Sequence, residues 1–348
     1  MPTVDDIYSQ IGKGKLFSKL DLKDGYWHVP LSDAASKLTT FQTHLGRYRF
    51  LRLPFGLNSA NEVFFKRTKE IFEGLPGVVV IYDDVLVGAD NEAEHDMRLR
   101  LAFERARQHG VKLNKAKCQF GLSQVKYVGH IISSSGISVD PDKVVDIVNM
   151  PSPDDKKGVQ RILGSLNFFA RYIPDMSTIT HPIRELLKKN ISFIWTPTHE
   201  KAFAHIKRTL SHAPVLGYYD VTKDIILQAD SSSVGLGACI LQEGKPIAYA
   251  SRSLTPTQVN YAQIEKELLA IVFGCERFRQ YLYGKQVIVH TDHKPLINML
   301  KKQLHDNPKR IQRLLLRLQC YNLTLQSPVC SRARSTCTRH AVQSLCCN

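Results

Sequence analysis

Residues 78–87, VVVIYDDVLV, constrain this chain more than any other stretch. Two adjacent carboxylates, Asp83 and Asp84, interrupt an apolar run rich in β-branched residues. The run is too short to cross a membrane and reads as a buried strand or a tight hairpin. Burying an unpaired carboxylate is costly, so the pair needs an explanation. A divalent cation held by hard oxygen ligands supplies one, and a polar hairpin turn supplies another.

A third acid has the same character. Asp21 sits inside the apolar alternation of LFSKLDLKDGYWHVPL, where a strand would place a packing residue, although a turn closing on Gly25 also accounts for it. Around these acids the order of elements is legible. FQTHLGRYRFLRLPFGL reads as a β-hairpin turning near Leu45-Gly46 and ending in an aromatic, Pro-containing loop. Phe64, Thr68, Ile71, Phe72 and Leu75 follow at helical spacing, with Asn58 or Ser59 as cap. A second helix spans 91–109, with Gly110 just past its end. Further hairpin strands lie within 111–133, and a short amphipathic helix is predicted at the start of the chain. The pattern predicts an α+β arrangement with helices on one face of an antiparallel sheet. If the strands of Asp21 and Asp83–Asp84 are neighbours, three carboxylates converge and repel each other strongly without cations.

From Asp140 to about Lys189 the rhythm is helical. Ser152-Pro153-Asp154-Asp155 starts a helix carrying Val159, Ile162, Leu163, Leu166 and Phe169. Beyond Lys223 the pattern changes to three short strands, a long helix over 258–283, a fourth strand and a helix over 293–302, a separate mixed α/β domain. A second acidic set falls here. Asp230 ends the first strand, Asp292 ends the fourth, and Glu267 lies in the helix, with Glu265 as a competitor for the inward position. Carboxylates holding two Mg²⁺ ions are the machinery of phosphodiester chemistry. Two such sets in a chain of net charge +15 suggest two phosphoryl-transfer sites on one polyanion.

The ordered motifs LDLKDGYWHVPL, LPFGLNSANEVF, VIYDDVLV and KCQFGLSQVKYVGHIIS resemble the reverse transcriptase of Ty3/gypsy-type long-terminal-repeat retrotransposons. ILQADSSSVGLGACILQ, YAQIEKELLAIVFGCERFRQYLYG and VHTDHKPL resemble the ribonuclease H of the same Pol polyproteins. The resemblance covers roughly residues 5–326. It implies a polymerase palm over 1–139, a helical thumb and connection over 140–215, and an α/β ribonuclease H-like domain over 216–326. Asp21, Asp83 and Asp84 then match the polymerase metal ligands, and Asp230, Glu267 and Asp292 those of the ribonuclease, with Glu267 favoured over Glu265. Tyr26 matches the aromatic residue that bars a ribose 2′-hydroxyl. Pro54, Phe55 and Gly56 match the loop lining the nucleotide and template site, and Val128-Gly129-His130 the primer-grip hairpin. Two Mg²⁺ per site are implied, with Mn²⁺ as the substitute ion. The implied partners are an RNA template, a DNA primer, dNTPs and an RNA–DNA hybrid, within a parent polyprotein that also carries protease and integrase.

Several departures qualify these expectations. The family's fingers segment, with its triphosphate-binding basic residues, would precede Met1, so dNTP binding is expected to be badly impaired or absent. Ile81 replaces the aromatic residue that usually opens the acidic motif. No Asp or Glu follows Asp306, so the ribonuclease's fourth carboxylate is absent from its expected place. After Gln326 the stretch 327–348 has no apolar periodicity, no acid and four cysteines, and reads as an out-of-frame tail. No membrane helix or signal peptide is evident and cysteines are few before that tail, which points to an intracellular setting.

Overall fold

The computed structural model describes residues 11, 14–81, 84–127, 129–189, 191–291, 293–300 and 303–326, with the side chains of 81, 294, 298 and 300 excepted. The sequence-predicted N-terminal helix and the Cys-bearing tail therefore lie outside the described residues, apart from Ile11. The chain divides into two units, 1–137 and 138–348.

The first unit is organised on β1 (Leu16–Asp21), an inner strand of an antiparallel sheet. Its other members are β4 (Val78–Ile81), β5 (Asp84–Ala89) and β6 (Gln119–Leu122), in the order β4-β5-β1-β6. Alternation along the strands divides the residues between two faces. Leu20, Val85 and Val87 bury against Phe64, Ile71 and Phe72 of α2 (Ala60–Phe72) and Ala102 and Ala106 of α3 (Glu92–Gln108). Each such aliphatic side chain contributes roughly 1.5–3 kcal/mol on burial. Lys19, Asp21 and Asp84 occupy the other face.

Helix α3 is well specified at both ends. The Asn91 side chain accepts from the Glu94 N–H at 2.9 Å, Glu92 and Glu94 lie in the first turn, and Arg105 and Arg107 in the last. Ahead of these, α1 (Asp33–Leu38) leads into a short hairpin of β2 (Phe41–Thr43) and β3 (Gly46–Tyr48). A second hairpin follows the sheet, β7 (Gln124–Tyr127) with β8 (His130–Ser133), and then β9 (Gly136–Val139).

In the second unit, α4 (Pro141–Val148) and α5 (Lys156–Phe168) come first. The Asp155 carboxylate caps α5 by accepting from the Gly158 N–H at 2.6 Å. Short helices α6 (Met176–Ile179) and α7 (His181–Glu185) and the longer α8 (Pro197–Ser211) follow. A five-stranded mixed sheet then forms from β10 (Ile225–Ser231), β11 (Gly235–Gln242), β12 (Lys245–Ser253), β13 (Gln286–His290) and β14 (Asn322–Gln326). Its order is β12-β11-β10-β13-β14. The first three strands pair antiparallel, while β13 runs parallel to both β10 and β14.

The helix predicted over 258–283 is three pieces: α9 (Pro256–Val259), α10 (Gln263–Arg277) and α11 (Arg279–Leu282). The break has a local cause. Ala262 is extended, and its N–H donates to the Glu265 carboxylate at 3.1 Å, so a new N-terminus is capped there. Beyond α12 (Lys294–Leu300), α13 (Lys309–Leu318) packs on α10 and returns the chain to the edge strand β14.

The segment around α6 is built onto this sheet. The Tyr249 N–H donates to the Arg171 carbonyl at 3.0 Å, and the Ser177 N–H donates to Ser251 Oγ at 2.9 Å. Two glycines make the approach possible. A Cβ on Gly235 would lie 2.6 Å from Ser177 Oγ, and one on Gly237 would lie 2.1 Å from Asp175 Oδ1. Among the described residues no helix is long and apolar enough to cross a membrane.

Candidate metal centres

The register of the first sheet sets Asp21 directly opposite Asp84. Residues directly opposite in a ladder project to the same face, so the two carboxylates share one surface. Ile81 pairs with Asp84, where β4 and β5 come together. Asp83 itself lies outside the described residues. Like charges placed directly across a ladder destabilise it, and here each aspartate meets a lysine. Lys19 Nζ lies 2.6 Å from Asp84 Oδ2, with both side chains about three-quarters covered. Lys117 Nζ lies 3.9 Å from Asp21 Oδ2 and is mostly exposed. Backbone atoms are fixed too: the Asn114 N–H donates to the Asp21 carbonyl at 2.9 Å, and the Tyr127 hydroxyl donates to the Asp84 carbonyl at 3.3 Å.

Tyr26 follows in a 3-10 turn, Gly25–His28, after Asp24 takes a left-handed conformation (φ 54°). Its ring meets Phe55 edge-on, with centroids 5.0 Å apart, and Phe64 at 5.2 Å. The structure thereby brings the sequence-predicted Tyr26 and Phe55 together. Pro54, Phe55 and Gly56, with Thr39, Phe41, Phe50 and Leu57, line an open apolar cavity of about 300 Å³.

His28 ends the same turn. Burial holds its imidazole below the ordinary value, Lys112 and Arg52 add to that, and Asp24 opposes it. Its Nε2 accepts from the Lys112 N–H at 3.3 Å. Burial lowers His205 as well. An imidazole whose folded pKa is depressed takes up a proton on unfolding, so stability is complete above the unfolded value near 6.5 and falls as pH drops below it. His28→Gln keeps a backbone acceptor and removes the titration. Its melting temperature is expected to fall less than that of the wild type between pH 7.5 and 5.5, and parallel curves would refute the assignment.

At the second acidic set, Asp230 lies near the C-terminal end of β10 opposite Gly237. The Ser231 N–H donates to Asp230 Oδ1 at 2.7 Å, and the Ser231 hydroxyl donates to Glu267 Oε1 at 2.8 Å. Gln263 Nε2 donates to the same Glu267 oxygen at 2.6 Å. Glu267 is buried toward the sheet. Glu265 turns away: besides capping α10, its two oxygens accept from Arg310 Nη1 at 2.8 and 3.0 Å. Asp292 lies outside the described residues. It follows Thr291, whose N–H donates to the Gln326 carbonyl at 3.3 Å.

A carboxylate that sequence reasoning missed approaches from α6. Asp175, in a left-handed conformation (φ 51°), is pushed above the ordinary carboxylate range by burial and then by the charge of Asp230. Nothing in Pro174-Asp175 signals this, because a Pro-Asp pair is ordinary turn chemistry. Among the described residues no three His, Cys, Asp or Glu side chains stand close enough to hold a metal ion. The acids that are described, Asp21, Asp84, Asp230 and Glu267, are all hard oxygen donors of the type that suits Mg²⁺.

An antiparallel sheet with facing aspartates, followed by a mixed sheet with buried and rim carboxylates, defines a polymerase palm joined to a ribonuclease H-like fold. Comparison with known proteins agrees. Residues 2–132 match the family model "Reverse transcriptase (RNA-dependent DNA polymerase)", and residues 195–289 match "RNase H-like domain found in reverse transcriptase". The retrovirus-related Pol polyprotein from transposon 412 of Drosophila melanogaster is 35% identical over 333 residues, covering 94% of this chain and 27% of that protein. The transposon Tf2-3 polyprotein of Schizosaccharomyces pombe is 31% identical over 334 residues, covering 93% and 25%. The chain thus spans about a quarter of these relatives. A foamy viral protease-reverse transcriptase solved with double-stranded DNA shares the fold at a TM-score of 0.83 and 23% identity, covering 92% of this chain and 58% of that one. The same viral protein with an RNA/DNA hybrid gives 0.79, covering 93% and 45%. The chain belongs to the reverse transcriptase–ribonuclease H family of Ty3/gypsy-type retrotransposon Pol polyproteins.

Proposed function

We propose that this chain is the RNA-directed DNA polymerase and ribonuclease H portion of a retrotransposon Pol polyprotein that also supplies protease and integrase. The observation that carries the polymerase reading is the register of Asp21 on Asp84. Asp21, Asp83 and Asp84 would hold two Mg²⁺, or Mn²⁺, at the polymerase site. Asp230, Glu267 and Asp292 would do so at the ribonuclease site. Such ions, when bound, activate the attacking oxygen and stabilise the leaving one.

The chain's own residues do the rest. The sheet face orients a primer 3′-hydroxyl toward the α-phosphate of a dNTP. Tyr26, wedged between Phe55 and Phe64, presents a rigid ring where a ribose 2′-hydroxyl would clash. Pro54, Phe55 and Gly56 line the nucleotide and template side. At the second site Ser231 and Gln263 fix the Glu267 carboxylate against the hybrid's RNA strand. The excess of Lys and Arg supplies phosphate contacts, so binding weakens steeply with salt.

The deciding experiment is primer extension on an RNA template with Mg²⁺, wild type against Asp83→Asn. Extension by the wild type and none by the variant is expected. Equal signals from both would end the polymerase reading. A chain that binds the hybrid but neither extends nor cleaves would be a nucleic-acid-binding remnant.

A further inference from the structure

The two aspartates facing each other across β1 and β5 are not treated alike by the surrounding chain. Lys117, the partner of Asp21, reaches it from an exposed position at 3.9 Å. Lys19, the partner of Asp84, projects from the sheet itself. It lies two residues before Asp21 on β1, hence on the same face, and one ladder step diagonal to Asp84, because it pairs with Leu86. Leu86 is fully buried, and Lys19 is only 24% exposed, so its stem is held along the sheet and its ammonium is delivered to Asp84 at 2.6 Å. A lysine at an inner-strand position that costs conformational freedom and burial needs a compensating role.

We propose that Lys19 is a positioning residue of the nucleotidyl-transfer site. Its ammonium pins the Asp84 carboxylate and supplies a fixed positive charge. The acidic face is then one unit of charge less negative toward incoming cations than it would be without Lys19. This rests on the polymerase reading above. It makes a counter-intuitive prediction: removing Lys19 strengthens metal binding while it weakens turnover. The site becomes more negative, but the Lys19 contact no longer fixes the Asp84 carboxylate.

The test uses the full chain carrying Asp230→Asn and Glu267→Gln, so that the first site alone reports, titrated with Mn²⁺ by calorimetry. Lys19→Met is expected to bind Mn²⁺ about 5–10-fold more tightly. At saturating Mg²⁺, primer extension by the same variant falls about tenfold or more, and Lys19→Arg restores both values toward the parent. A residue that only supported the fold would loosen metal binding on removal. In the metal-free protein, the melting-temperature losses of Lys19→Met and Asp84→Asn should fail to add in the double variant, because one pair is lost in each case. Mn²⁺ affinity within twofold of the parent or weaker in Lys19→Met, or strictly additive melting losses, overturns the proposal while the parent's own Mn²⁺ binding leaves the polymerase reading standing. A parent that binds no Mn²⁺ sinks the polymerase reading, and the proposal with it.

Discussion

Replacing Asp21 by Asn is expected to cut primer extension about 10³-fold while hybrid cleavage stays at the wild-type level. Loss of one charged metal ligand removes several kcal/mol of transition-state stabilisation, and each 1.36 kcal/mol is a tenfold change in rate. The two activities separate because Asp21 belongs to the sheet of the first unit and Asp230 and Glu267 to that of the second. The fold should survive. Asp21 stands opposite a like charge, so a neutral isostere relieves repulsion across the ladder, and the backbone bond from Asn114 to position 21 is independent of the side chain. Primer extension and RNA–DNA hybrid cleavage measured on one preparation check this. Retained extension, or parallel loss of both activities, would contradict it.

Glu267→Gln and Glu265→Gln should differ by about 10³-fold in hybrid cleavage, although the residues are two apart on one helix. Gln at 267 keeps an acceptor for Ser231 and Gln263 in the same buried place, so what is lost is charge. Gln at 265 breaks the two-oxygen contact with Arg310, whose side chain is half exposed. An ion pair of that exposure is worth roughly 0.2–1 kcal/mol of stability, and cleavage should be unchanged. Equal cleavage by the two variants would mean that neither glutamate acts at the site as read here.

Much of this architecture can be read from residue patterns. The alternation in LFSKLD and the paired acids in VVVIYDDVLV locate the two strands that matter, because half-buried strands repeat every two residues. The helix ends of α3 are legible for the same reason: Asn91 is a strong cap and Gly110 a strong stop. Register is a different matter. Which residue faces Asp21 depends on where two distant strands align, so the part played by Lys19 is invisible in a stretch where a lone lysine reads as a solvated side chain. The break before α10 escaped because Tyr261 and Ala262 carry no strong helix breaker. The new N-terminus depends on a side-chain bond from Glu265 that competes with continuing the helix. Strand β14 escaped because an edge strand of five residues offers only Leu323 and Leu325 to the core, too few to stand out from a loop.

The α6 segment bears on which pieces of such a polyprotein can be exchanged. A ribonuclease module cut at residue 216 would carry Gly235 and Gly237 as empty grooves and leave the Tyr249 N–H without the Arg171 carbonyl. The lost bond costs about 0.5–1.5 kcal/mol once water replaces the carbonyl at the freed edge of β12, on top of the packing that fills the two grooves. The transferable piece therefore starts no later than Arg171. Recombination between related elements should succeed at joints upstream of that residue and fail at joints between it and the first strand of the mixed sheet.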